Sequence, residues 1–303
     1  MAIDFKDQVA VVTGAGGGLG KEYALLLAKM GAKVVVNDLG CAMDGSGKAR
    51  STADAVVKEI EDAGGEAVAN YDGVDSPEGG NSIVRTAIDH FGRIDILINN
   101  AGILRDKSFH KMAQESWAQI LTVHLSGAFH CSQPAYQYMR EQQYGRIVLT
   151  TSSAALFGNF GQTNYGAAKL ALVGLMNSLR IEGKSRNVLV NAVAPQAVTR
   201  MTEKIIPPDL HNLLAPPYVA PVVAYLCSRE CKESGSIFNV GGGCVSRSQI
   251  LTGPVTFLGK EIASVDDVSE KWPEILSMEN PKPFDDAAGP VMDFVDKLRS
   301  LRG

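Results

Sequence analysis

Val9-Ala10-Val11-Val12-Thr13-Gly14-Ala15-Gly16-Gly17-Gly18-Leu19-Gly20 is the stretch whose reading decides the fold. A short apolar run that ends in a glycine-rich turn reads as a parallel strand buried on both faces. Beyond the turn, Tyr23, Leu26, Leu27 and Met30 recur at helical spacing, and Gly31 stands where such a helix ends. A strand that passes through glycines into a helix aims backbone N–H groups and the positive helix end at one point. That point suits a pyrophosphate. Gly14, Gly18 and Gly20 supply the tight turn, the close backbone approach and the close helix packing, with Leu19 between the last two.

Working outward, residues 33–37 repeat the strand pattern through Val34-Val35-Val36, and a polar loop over 39–48 follows, longer than an ordinary β–α connection. The alternation then continues. Helices are expected over 49–63, 80–91, 114–140, 165–183 and 217–228, and strands over 66–70, 94–98, 146–151, 188–193 and 236–240. Repeated β-α-β units predict an α/β fold: a doubly wound parallel sheet of the Rossmann type, about seven strands, with helices on both faces. After Gly241-Gly242-Gly243 the alternation stops. Residues 1–246 are therefore expected to form the nucleotide-binding domain. Residues 247–303, with five prolines and a helix expected near 290–301, are expected to be a C-terminal extension packed on it or on a dimer partner.

The composition narrows the function. With 45% hydrophobic and 20% charged residues and a net charge of −4, the chain reads as a globular protein with no electrostatic case for nucleic acid or an anionic membrane. The five cysteines, Cys41, Cys131, Cys227, Cys231 and Cys244, have neither the spacing of a disulfide framework nor a complete metal set. No basic-then-apolar leader opens the sequence, no apolar run reaches membrane-spanning length, and Leu301-Arg302-Gly303 is not a peroxisomal address. A cytoplasmic location is expected.

Asp38 ends the second strand, where a carboxylate can accept hydrogen bonds from both adenosine ribose hydroxyls and repel a 2′-phosphate. Leu39-Gly40-Cys41 follow, with no adjacent Arg or Lys, so NAD is the expected cofactor rather than NADP. Tyr165 and Lys169 lie four residues apart on one helix face. A free tyrosine, with a pKa near ~10, is a poor base at neutral pH. A neighbouring ammonium and a cationic nicotinamide favour its phenolate, which can take an alcohol proton as hydride leaves. Lys169 would also bond the nicotinamide ribose, and Ser152, at a strand end, can hold the substrate oxygen. A Tyr-x-x-x-Lys pair alone is common. Its weight comes from following the glycine turn and Asn99-Asn100-Ala101-Gly102 in that order.

These residues together resemble the short-chain dehydrogenase/reductase family over residues 5–245. The resemblance implies that Asn100, with Ala101 and Gly102, contacts the adenosine side of the cofactor, that Gly73 and Val74 flank the adenine, and that residues after Pro195, Thr199 among them, lie over the nicotinamide. Within the family, Asn37-Asp38-Leu39-Gly40, Ala69-Asn70-Tyr71-Asp72, Ile103-Leu104-Arg105-Asp106, Gly158-Asn159-Phe160-Gly161-Gln162, the long loop and the tail through Trp272 resemble the dehydrogenase units of type 2 peroxisomal multifunctional enzymes. That implies NAD-dependent oxidation of a (3R)-3-hydroxyacyl-CoA by a homodimer (or tetramer). The hydratase and sterol-carrier units of that group are absent, so a stand-alone dehydrogenase is expected. His124 replaces the more frequent Asn on the long helix, as that group shows, where the usual role is to organise a relay water near the lysine. Pro195-Gln196 replaces the more frequent Pro-Gly. A steroid or steroid-CoA alcohol is the alternative substrate, and a non-catalytic NAD(H) sensor the alternative of another class.

Overall fold

The computed structural model describes residues 3–203, 206–259 and 261–301, so Arg302 and Gly303 of the Leu301-Arg302-Gly303 end lie outside it. Strands β1 (Val9–Thr13), β2 (Lys33–Asn37), β3 (Glu66–Asn70), β4 (Ile96–Asn99), β5 (Gly145–Thr150), β6 (Val188–Pro195), β7 (Ile237–Gly241) and β8 (Cys244–Ser248) form one sheet in the order β3-β2-β1-β4-β5-β6-β7-β8. Neighbours from β3 across to β7 pair in parallel. Sequence order reverses at β1, which has β2 on one side and β4 on the other. At such a switch point the connections diverge to opposite faces and leave a crevice beyond the strand ends.

The sheet has eight strands rather than about seven. β8 follows β7 through Gly242 and Gly243, both at positive φ, and so short a connection admits only an antiparallel return. Its residues, Cys244-Val245-Ser246-Arg247-Ser248, are mostly exposed, as an outer strand permits. No apolar run therefore marks it.

Helices α1 (Gly18–Lys29), α2 (Ser51–Asp62), α3 (Pro77–Phe91), α4 (Gln114–Leu121), α5 (Gly127–Gln142), α6 (Ser153–Phe157), α7 (Thr163–Gly183) and α8 (Ala220–Cys227) belong to the same unit. Two apolar clusters fill the two sides of the sheet. Ala10, Val12, Val34 and Val36 join the first, with Tyr23 and Leu27 of α1 and Val223 of α8. Val9, Val11 and Val35 join the second, with Ile83 of α3, Met139 of α5 and Leu172 of α7. Alternate residues of one strand thus enter opposite cores, which is why β1 and β2 read as unbroken apolar runs.

The single helix expected over 114–140 is broken. Thr122–Ser126 between α4 and α5 is π-helical, and the long helix runs on to Gln142. A π-turn inserts one extra residue and re-aims the side chains it carries. Here it carries His124.

The chain divides into two compact units, Met1–Arg247 and Ser248–Gly303. The second contains α9 (Val265–Ile275) and α10 (Ala288–Ser300), and neither helix buries a residue. Ser264 and Asp267 cap α9 reciprocally, Ser264 N–H donating to Asp267 Oδ2 at 2.8 Å and Asp267 N–H to Ser264 Oγ at 3.2 Å. Thr252 and Lys282 form an antiparallel bridge, and Lys282 pairs with Asp293.

Candidate active site

The ends of β1, β2, β4, β5 and β6 surround a cleft of about 470 Å³. Its floor is the glycine turn. Gly14 sits at φ +64, and a Cβ there would lie 2.8 Å from Ala101 Cα. A Cβ on Gly20 would lie 2.3 Å from Gly14 O and 2.6 Å from Asn100 Nδ2. Both positions demand glycine. Gly17 precedes α1, no side chain caps that helix and no acidic residue occupies its first turn. Its leading N–H groups therefore remain available to an anion.

Asp38 stands across the turn. Its Oδ2 accepts from Gly16 N–H at 2.7 Å and its Oδ1 from Gly40 N–H at 2.6 Å. The carboxylate is aimed by two backbone donors and keeps acceptor capacity on both oxygens. A Cβ on Gly16 would lie 2.8 Å from the Asp38 carboxyl, which adds Gly16 to the residues the site requires. The long loop after Asp38 is pinned across the cleft rather than free. Leu104 N–H donates to Met43 O at 2.9 Å, and Arg105 Nε to Asp44 O at 3.0 Å.

On the far wall, α7 carries Tyr165 and Lys169, and Ser152 caps α6, its Oγ accepting from Ala154 N–H at 3.2 Å. Ser152 also hydrogen-bonds Tyr165, which favours the phenolate, but burial acts more strongly and holds the Tyr165 hydroxyl above its usual range. Lys169 is 3% exposed and donates from Nζ to Thr150 O at 2.6 Å. Burial pushes it down to about 7. In the free protein the Lys169 charge does not offset the burial that raises Tyr165. Nζ lies 5.8 Å from the centre of the Tyr165 ring, its own charge is penalised by burial, and the tyrosine is held as a phenol.

His124 packs edge-on against Tyr165, ring centres 5.3 Å apart. Its Nε2 lies 3.1 Å from Ile103 N and 2.8 Å from Ile103 O, while its buried Nδ1 has no partner. Burial, then the Lys169 charge, drives its pKa well below the usual range, so the ring is neutral at physiological pH. A Cβ on Gly102 would lie 2.5 Å from His124 Cε1, so Gly102 is what admits the ring. His124 and Lys169 both line a second cavity of about 10 Å³, with Thr13 and Asn99. That is close to the space one water occupies.

Leu19, Gly73, Val74, Ala101 and Thr199 line the main cleft, with Gly14, Gly18, Asp38, Asn100 and Gly102. Gly20 packs beneath them, against Gly14. In the free chain Asn100 braces the turn, its Nδ2 donating to Thr13 O and Gly14 O at 3.0 Å. Thr199 faces Gly18 across the cleft, its methyl 3.8 Å from where a Gly18 Cβ would stand. Sequence reasoning missed Met43, Asn159 and Gln162 as lining residues. Gln162 Oε1 accepts from Asn159 Nδ2 at 2.9 Å within its own loop, while its Nε2 donates to Asp106 Oδ2 at 2.7 Å, a contact between distant segments that no local spacing reveals. Among the described residues, no three His, Cys, Asp or Glu side chains are grouped to hold a metal.

A phosphate cradle, an aimed carboxylate and a Ser, Tyr and Lys set around one cleft define a nucleotide-dependent oxidoreductase, and the residues present fit a nicotinamide dinucleotide. The short chain dehydrogenase family model matches residues 8–209, and the chain belongs to that family of oxidoreductases. It is 53% identical over 277 residues to a short-chain type dehydrogenase/reductase of Mycobacterium tuberculosis, covering 91% of this chain and 96% of that protein. It is 46% identical over 305 residues to peroxisomal multifunctional enzyme type 2 of Drosophila melanogaster, covering 99% of this chain but 50% of that protein. The solved full-length structure of the Drosophila enzyme has a TM-score of 0.85 and 39% identity, over 99% of this chain and 51% of that one. A 7α-hydroxysteroid dehydrogenase solved with NADH and 7-oxo-glycochenodeoxycholic acid has a TM-score of 0.71 and 30% identity, covering 79% of this chain and 95% of that one. The chain thus spans about half of the multifunctional relative. No helix among the described residues is long and apolar enough to cross a membrane.

Proposed function

We propose that this chain oxidises the 3-hydroxyl of a (3R)-3-hydroxyacyl-CoA to the 3-ketoacyl-CoA with NAD+. The observation that carries the reading is one cleft with Asp38 aimed from one wall and Ser152, Tyr165 and Lys169 on the other. The acyl-CoA substrate rests on the resemblance of His124, the long loop after Asp38 and the tail to the multifunctional group, and the likeness to relatives named peroxisomal multifunctional enzymes supports it. When bound, NAD+ supplies the hydride acceptor. Gly14 and Gly18 would hold its phosphates, with Leu19 beside them and Gly20 packed beneath the turn. Asp38 takes the adenosine ribose, and Gly73, Val74, Asn100 and Ala101 line the adenosine side. Lys169 and Thr199 hold the nicotinamide end.

Ser152 orients the hydroxyl, and Tyr165 takes its proton as hydride leaves the carbinol carbon. Burial keeps Tyr165 protonated in the free chain, and its role as proton acceptor would draw on the positive charge of a bound NAD+. Neutral His124 acts behind them, its unpartnered Nδ1 holding a relay water beside Lys169.

The 7α-hydroxysteroid dehydrogenase neighbour favours a second reading, a steroid or steroid-CoA alcohol. A panel of (3R)- and (3S)-3-hydroxyacyl-CoAs and hydroxysteroids, each with NAD+ and NADP+, separates them. Turnover of the R-thioesters with NAD+ is expected. Preference for S, for a steroid or for NADP+ would overturn the first reading. A homodimer is proposed on the outward residues Leu170 and Ile181 of α7 and Phe129 of α5, which are 46%, 51% and 46% exposed. A reducing compartment, the cytoplasm, accords with five free cysteines.

A further inference from the structure

Two chain segments meet beside Tyr165. Lys107 N–H donates to Gly161 O at 2.8 Å, Gln162 Nε2 to Asp106 Oδ2 at 2.7 Å, and Asn164 Nδ2 to Arg105 O at 3.1 Å. Asn164 is fully buried and Gln162 is 9% exposed. Buried, satisfied amides fix backbone position, so this seam is rigid. Yet it displays three large apolar side chains: Phe109, Phe157 and Phe160 are 73%, 76% and 90% exposed. A rigid seam that holds phenylalanines in water marks a binding surface.

The seam is continuous with the reaction cleft. Phe157 and Phe160 bracket Asn159, and Asn159 and Gln162 line the cleft together with Tyr165. We propose that Phe109, Phe157 and Phe160 form an apolar rim that receives the acyl body of the substrate, and that they set its chain-length preference. This rests on the acyl-CoA reading above. The surroundings match a molecule with an apolar body and a phosphorylated head. Lys107 and Lys111 flank Phe109, and neither enters an ion pair among the described residues, in a chain of net charge −4. A second copy of the chain is the competing occupant. It would leave the phenylalanines without influence on chain length.

The test compares the wild type with Phe109→Ser, Phe157→Ser, Phe160→Ser and the triple variant. Turnover with NAD+ is measured on four-carbon and sixteen-carbon (3R)-3-hydroxyacyl-CoAs, and sedimentation gives the oligomeric state. Because each methylene placed on apolar surface is worth a severalfold factor, the sixteen- to four-carbon ratio of kcat/KM should fall about tenfold or more in the triple variant. An unchanged ratio, with or without dissociation of the oligomer, overturns the rim. Calorimetry of palmitoyl-CoA and butyryl-CoA binding to the NADH complex reads the rim without turnover. Weaker palmitoyl-CoA binding in the variants, with no wild-type turnover of any hydroxyacyl-CoA, would uphold the rim and overturn the substrate reading. Wild-type turnover with equal palmitoyl-CoA binding in every variant would do the reverse.

Discussion

The Lys169 ammonium donates to the Thr150 carbonyl at 2.6 Å in a place where burial has removed nearly all water from it, and with Thr151 Oγ1 donating to Lys169 O at 2.8 Å it joins α7 to the end of β5. Burial pushes the lysine from its ordinary value down to about 7. Between that value and the unfolded value near ~10.4, the unfolded chain binds the extra proton, so this group's contribution to stability rises with pH across the window. Lys169→Met removes the penalty at a similar volume. The variant should be more stable than the wild type at pH 7, and its advantage should shrink by about 3 kcal/mol on going to pH 10. Urea unfolding at the two pH values measures this, and parallel curves would show that Lys169 keeps its charge at no cost.

Asp38 is held by two backbone N–H groups, at 2.7 Å from Gly16 and 2.6 Å from Gly40. Charge-assisted bonds of this kind are worth about 1.5–3 kcal/mol each when a charged acceptor is involved. Asp38→Ser removes the repulsion of a 2′-phosphate and loosens both backbone ties. The proposed preference for NAD+ over NADP+ should shrink by about a hundredfold in kcat/KM, with a stability loss of about 1–2 kcal/mol. A variant with the wild-type cofactor ratio would take cofactor choice away from Asp38.

What could be read from the sequence, and what could not, follows the range of the interactions. Gly14 and Gly20 were legible because they sit in one strand-turn-helix unit, Asp38 because it follows the next strand, and Tyr165 and Lys169 because they lie four apart on one helix, and the parallel sheet followed from the alternation. β8 was missed because an exposed outer strand needs no apolar face. α9 was missed because Pro273 sits inside it and none of its residues is buried, although Ser264-x-x-Asp267 was a capping signal in plain view. The π-turn under His124 was hidden by a helical pattern that continues on both sides of it. The charge state of Lys169 depends on burial among α7, β5 and the π-turn, which no spacing encodes.

Tyr165 is predicted to be the proton acceptor in oxidation. Tyr165→Phe keeps the ring that packs on His124 and deletes only the hydroxyl. Turnover should fall about 10³-fold, within the range general-base removal gives, while NADH affinity stays close to wild type. Because burial raises the Tyr165 pKa in the free chain, wild-type kcat/KM for oxidation should climb as pH rises above neutrality. Stopped assays of alcohol oxidation beside fluorescence titration with NADH check both halves. Substantial turnover by the phenylalanine variant would remove the base from this position.

Gly102 and His124 form a coupled pair, since a Cβ at 102 would press to 2.5 Å from the imidazole Cε1. Gly102→Ala must therefore push the ring away from Ile103 or from Tyr165, on which it sits edge-on at 5.3 Å. Overpacking of this kind costs about 1–3 kcal/mol, and the displaced ring should lower kcat more than it changes NADH affinity. His124→Ala alone leaves a cavity and frees the Ile103 carbonyl, so it is destabilising too. In the double variant the clash has no partner. The two losses should therefore fall short of adding by about 1 kcal/mol or more, a signature of direct contact that a denaturant-unfolding double-mutant cycle reads. Strict additivity would mean that the loop carrying Gly102 moves aside freely, and that His124 is not held by it.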